Sequence, residues 1–326
     1  MLADMGHLFH EMGRTQEARR RFRQALRLTE HFSAWEHTGC LTGLARALMA
    51  ADSLEAAIEL LQRARDEAAG RQMLDLQVEL EAETGAFLFD AGRFEEAAGL
   101  LRSAVSLARR GDMRDPEMRA RHELGMCLRE LGQPDSALAH LRAAAELWEA
   151  VRALPLEAQW REQRGPWGRQ IFTDLAALLL LQPGADPDAR GREAFDRLQP
   201  FKARTLLERM LGPGAALARA IDQPGARAVT LAELQSDVLR PGELLLDFYV
   251  GPETSLLFAV TRERCQVAIL PREAELQRQV DAYRGLLVGP ATDRSAAGDL
   301  EMLTRGGEAL ARVLLGEVCD MIAGSR

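Results

Sequence analysis

Residues 85–104 read GAFLFDAGRFEEAAGLLRSA, and their spacing decides the fold. A small residue, Gly85, is followed by Ala97 at +12, the large apolar Leu101 at +16 and Ala104 at +19. Between them Ala91-Gly92-Arg93 makes a turn, and Gly92 can take the left-handed conformation that closes a helix. The spacing predicts one helix over 78–90 and a second over 94–110. Small residues let the two helices approach closely, and the large one fills the space between them.

The same offsets recur on both sides. They give Gly6, Ala18, Phe22 and Ala25; then Ala45, Ala57, Leu61 and Ala64; and, after the quoted copy, Gly125, Ala137, Leu141 and Ala144. The copies start 39, 40 and 40 residues apart. Gly13 and Gly132 repeat the turn glycine, and Asp52 stands in its place in the second copy. Internal periods of this size mark stacked two-helix units, and such an array is a binding scaffold before any chemistry is considered.

The pattern carried by Gly6, Phe9, Gly13, Ala18, Phe22, Ala25 and their equivalents through Ala144 resembles the tetratricopeptide repeat, TPR. The usual period is about 34 residues, and the extra six add roughly 9 Å of helix per repeat. The resemblance implies a TPR-type α-α solenoid over 1–150. Met1 already falls inside the first helix, so either that helix is short or the protein begins upstream.

Composition agrees with close-packed helices. Apolar residues make up 47% of the 326, with aromatics only 5%. A net charge of −8 argues against the nucleic-acid backbone as the main partner. Lys202 is the only lysine among 41 basic residues, a bias expected of a GC-rich bacterium. Cys40, Cys127, Cys265 and Cys319 form no CxxC, which points to a reducing, cytoplasmic setting without a zinc site or disulfide framework. No basic-then-apolar leader begins the chain. The most apolar run, 171–181, contains Thr173 and Asp174 and is too short to span a bilayer.

After Val151 the period fails. A helix over 159–181 interrupted at Gly165-Pro166, a loop over 182–187 and a helix over 189–211 read as a degenerate fifth repeat with an insertion, filling 151–212. Beyond Gly212-Pro213-Gly214 the apolar period shortens towards two. Leu244–Val250, Leu256–Thr261 and Cys265–Leu270 are strand candidates joined by connections too short for parallel pairing, hence an antiparallel three-stranded meander. Helices over 272–288 and 299–322 follow.

AFDRLQPFKARTLL at 194–207, with Lys202-Ala203-Arg204-Thr205-Leu206-Leu207 at its centre, is similar to the helix leading into CHAT (caspase HetF associated with TPRs) domains. PGELLLDFYV at 241–250 and LLFAVT at 256–261 resemble the first two CHAT strands. The resemblance implies that 213–326 is the N-terminal part of an α/β caspase-like domain. CHAT relatives imply a His–Cys dyad in which His activates a thiolate. All six histidines (7, 10, 31, 37, 122 and 140) lie in the TPR half, so no local dyad forms in the CHAT-like half. Cys265 and Cys319 read as small buried hydrophobes.

In peptide-binding TPR proteins the groove positions lie at −6, −3, +1, +4 and +5 from the small reference residue. Carried over, these give His7, His10 and Glu11; Thr42, Arg46 and Met49; Glu79, Phe89 and Asp90; then Arg119, His122, Met126, Arg129 and Glu130. The mixture suits a peptide or protein segment, and Met49, Phe89 and Met126 would be apolar residues exposed on a concave face. His7 and His10, at i and i+3, have no third metal ligand nearby in sequence. The sequence therefore reads as the recognition and regulatory part of a TPR–CHAT protein, a protein–protein interaction scaffold with no catalytic residues, cofactor or membrane partner of its own. It sets no oligomeric state. A cysteine peptidase whose dyad lies beyond Arg326, or the TPR sensor of a signalling or transcription regulator, are the alternatives.

Overall fold

The computed structural model describes residues 2–29, 34–51, 53–152, 158–181, 187–211, 228–288 and 296–325. Asp52, His31, most of the 182–187 loop and Gly212-Pro213-Gly214 lie outside them. Packing divides the chain into two compact units, residues 1–154 and 155–326.

The first unit is four helix pairs: α1 (Leu2–Glu11) and α2 (Thr15–Thr29), α3 (Ala34–Met49) and α4 (Leu54–Gly70), α5 (Leu74–Asp90) and α6 (Phe94–Arg110), α7 (Arg114–Glu130) and α8 (Pro134–Arg152). Gly13, Gly92 and Gly132 have φ of 70°, 74° and 69°. Beside Gly92, the Arg93 amide donates to the Leu88 carbonyl and the Gly92 amide to that of Phe89, the hydrogen-bond pattern of a glycine-closed helix. The turns between repeats obtain the same geometry without glycine. Gln72 and Asp112 sit at φ 58° and 49°, and the following amides, Met73 and Met113, reach back to Ala68 and Ala108. A side chain in this region costs about 1–2 kcal/mol, which the surrounding helix pairs must hold in place.

The small reference residues are small for a steric reason. A Cβ on Gly85 or Gly125 would stand 2.8 Å from Leu101 or Leu141, and one on Gly6 2.7 Å from the Phe22 ring. The facing residues Phe22, Leu61, Leu101 and Leu141 are all fully buried, as are Ala18, Ala57, Ala97 and Ala137. Each first helix also packs on the first helix of the next repeat, α1 on α3, α3 on α5 and α5 on α7. Among the described residues no pair of successive second helices packs comparably. The first helices thus line the inner side of this unit.

The second unit holds α9 (Ala158–Leu181), α10 (Pro187–Leu211), a short α11 (Leu231–Glu233) that runs on as a π-helical turn to Val238, and a sheet of β1 (Leu245–Tyr249), β2 (Ser255–Val260) and β3 (Cys265–Leu270). Then come α12 (Glu273–Val288), α13 (Ala296–Leu315) and α14 (Cys319–Ala323). The strands form the expected meander, order β1-β2-β3, with Phe248 opposite Leu257 and Leu257 opposite Ala268. Every residue of β2 is buried, because both faces of the sheet are covered. Leu257 and Ala259 join Leu270, Leu276, Val318 and Met321 on one side. Phe258 meets Phe195 of α10 on the other, edge to face at 5.5 Å.

Two expectations need correction. The backbone stays helical through Gly165-Pro166 in α9, as it does, in line with the sequence, through Pro200 in α10; proline's fixed φ near −65° is itself helical, and its missing amide does not break these helices. The helix over 299–322 is broken by a 3₁₀ turn at Gly316–Val318. By packing, α9 and α10 go with the sheet in the second compact unit.

Candidate functional site

The candidate groove is the inner face made by α1, α3, α5 and α7. Arg46 of α3 crosses to α5, where its Nε and Nη2 donate to both carboxylate oxygens of Glu83 at 2.6 and 2.8 Å. Glu83 is otherwise largely covered, with 11% of its side chain exposed. One turn before it, Glu79 is exposed; partial desolvation at its foot raises its pKa, against the attraction of Arg119 on α7. Burial also raises Asp90, with the Glu83 charge adding to it. On α7, burial pushes the Glu123 carboxyl up to about 8, Arg119 opposing and Glu83 and Asp90 reinforcing. Its Oε2 is shut off from solvent without a hydrogen-bond partner. Arg46, Glu79, Glu83, Asp90, Arg119 and Glu123 therefore form one electrostatic cluster spanning three repeats.

The other expected residues fall in different places. Phe89 is half-buried, its ring held edge to face on Phe94 at 5.4 Å. Met126 is half-buried, and Arg129 pairs with its neighbour Glu130 at 2.6 Å. Met49 packs against the solenoid core, so only part of it reaches the surface. His7 is exposed but lies edge-on to Phe22 at 4.9 Å; partial burial and the Arg46 charge hold its pKa below the usual histidine value. His10 is half-buried. His122 and Thr42 are buried, 3% and 6% exposed, so neither lines a surface: the −3 position turns inward here. Glu83 and Glu123, at −2, were missed. Their signal was the pairing of charges at −6 and −2 in two successive repeats, Glu79 with Glu83 and Arg119 with Glu123.

Glu123 carries a test of this geometry. Its pKa is raised on folding, so the stability it allows is fully present below the unfolded carboxyl value and lost as pH rises towards 8. Glutamine has no such loss. Glu123→Gln should match the parent in thermal unfolding near pH 4 and exceed it by on the order of 2 kcal/mol at pH 8.5, after discounting for partial solvation. A constant difference across that range would refute the assignment.

In the second unit, Cys265 lies half-buried in the wall of a cavity of about 540 Å³ with Arg190, Arg192, Arg264 and Glu317. Cys319 is exposed, contrary to the sequence reading, because its neighbours Val318 and Met321 take the buried positions. Among the described residues no helix is long and apolar enough to cross a membrane.

Helix pairs stacked in register, with first helices forming a lined inner face, define an α-helical repeat scaffold of the kind that mediates protein–protein interaction. Residues 9–80 and 80–150 match the tetratricopeptide repeat family, and this region consists of tetratricopeptide repeats. Among solved structures, BtubC (BKLC) from P. vanneervenii is similar in fold at 17% identity and TM-score 0.52, covering 66% of this chain and 81% of that one. A putative kinesin light chain with nearly identical TPR-like repeats from Podosopora anserina aligns at 18% identity and TM-score 0.45, over 65% and 95%. No curated protein matches in sequence.

Proposed function

We propose that the chain is the recognition and regulatory part of a TPR–CHAT protein, and that its first-helix groove receives a segment of a partner protein. The observation that carries the groove reading is the convergence of α3, α5 and α7 on one surface, where the Arg46–Glu83 pair and Glu123 lie on the same helices as the half-buried Phe89 and Met126. Such a surface offers charge, hydrogen bonding and apolar contact at separate points, as an irregular polypeptide segment requires.

The CHAT reading of the second unit draws support from how its two motifs meet. Lys202, at the head of the Lys-Ala-Arg run, contacts Asp247 in the middle of the LLLDFY strand. Gln199, one turn earlier, donates to the other Asp247 oxygen at 2.6 Å. The helix and strand that carry the resemblance are thus tied to each other. Residues 141–326 contain no histidine, so the role proposed for the chain itself is binding, with any dyad to be supplied elsewhere.

Affinity capture with the whole chain, set beside the Phe89→Ala/Arg129→Ala variant, tests the groove. Partners held through it should fall at least tenfold in the variant. Equal recovery by both proteins would remove the groove reading.

A further inference from the structure

We propose that the segment received by this groove is basic, with an arginine or lysine side chain seated among Glu79, Glu83, Asp90 and Glu123 and an apolar neighbour against Phe89 and Met126. This rests on the groove reading above and adds the chemistry of the occupant.

Within this cluster, among the described residues, the charge count is uneven: Glu79, Glu83, Asp90 and Glu123 stand against two guanidinium groups, Arg46 and Arg119. Arg46 is already committed to Glu83 through two hydrogen bonds. Glu123 Oε2 is closed to water yet accepts no hydrogen bond, an arrangement that costs stability while the groove is empty. Burial makes ionisation hardest for Glu123, while Glu79 and Asp90 stand exposed beside it with their carboxyls raised less. A fold gains nothing from a carboxylate placed as Glu123 is, since glutamine would fill the same space without the penalty; a carboxylate held at a cost is what a binding site retains.

An incoming cation removes the strain at several points. It offsets the mutual repulsion of Glu83, Asp90 and Glu123, and so lowers the cost of holding Glu123 ionised beneath the surface. Phe89 adjoins Asp90 in sequence, and its ring is fixed by Phe94, so it gives the cation a rigid aromatic face. An acidic segment would meet the same carboxylates as repulsion.

Phage display of random twelve-residue peptides on the whole chain at 0.15 M salt tests the inference. Recovered peptides should be enriched several-fold in arginine and lysine. Calorimetry with a recovered peptide should show Glu79→Gln/Asp90→Asn weakening it about tenfold. Both substitutions leave the Arg46–Glu83 pair intact. Glu59→Gln/Glu95→Gln changes net charge equally at exposed sites on α4 and α6, and should leave affinity unchanged.

Neutral or acidic peptides whose recovery is lost in Phe89→Ala would overturn the basic preference and leave the groove standing. Basic peptides weakened equally by both double variants would reduce the effect to bulk charge and also overturn it. A selection with no enrichment counts against it too, while the capture comparison above judges the groove separately.

Discussion

Phe22→Ala should destabilise the first unit by about 3–5 kcal/mol, lowering its melting temperature by roughly 10 °C in a thermal scan followed by circular dichroism. Phe22 is fully buried, and it is the one aromatic at a position that is leucine in the other three repeats. Its ring fills a slot that two glycines open. A Cβ on Gly6, in its own repeat, would stand 2.7 Å from the ring, and one on Gly43, in the next repeat, 2.3 Å. Truncation to alanine therefore empties a junction between repeats, where stacked units derive their stability. Phe22→Leu should cost under about 1.5 kcal/mol, because leucine already serves at Leu61, Leu101 and Leu141. Gly43→Ala alone should cost about 1–3 kcal/mol through overpacking, and much of that should vanish when combined with Phe22→Leu. Additive effects in the double variant would show that the ring and Gly43 do not share the slot.

The same junction shows how far the sequence could be read. Offsets of +12, +16 and +19 were legible because they are local: each pair of helices packs on itself, and the steric demand recurs four times. The turn glycines were legible for the same reason. Gln72 and Asp112 were not, because neither residue type announces a left-handed backbone that its neighbours impose. Glu83 and Glu123 escaped because a carboxylate in a helix is ordinarily solvated, and only the stacking of α5 and α7 covers them. Gly43, Glu83 and Glu123 occupy the same repeat position, so one structural place is a packing relief in one repeat and a charged wall in two others. In the second unit the strands were legible from their period and short connections. The membership of α10 was not: its partners Asp247 and Phe258 lie 45 to 63 residues further along, and local pattern carries no information about contacts of that range.

That long-range packing leads to the second large effect. Phe258→Ala should destabilise the second unit by about 3–5 kcal/mol. The residue is 1% exposed in the central strand, and it holds α10 to the sheet through the edge of Phe195. Phe195→Ala should cost a similar amount, and the double variant less than the sum by about 1 kcal/mol, the coupling expected of an edge-to-face pair. Hydrogen exchange on the whole chain localises the effect: amides of 187–202 should lose protection together with those of β2, while α5 to α7 keep theirs. The contacts of Gln199 and Lys202 with Asp247 extend the same attachment one strand further. A fragment of 213–326 lacks Phe195, Gln199, Phe201 and Lys202, so one face of its sheet is bare and Asp247 has lost both partners. It should show no cooperative unfolding transition, whereas 155–326 should show one. A cooperative transition in the shorter fragment would mean that the sheet folds without α10, and the boundary of the second unit would return to residue 213.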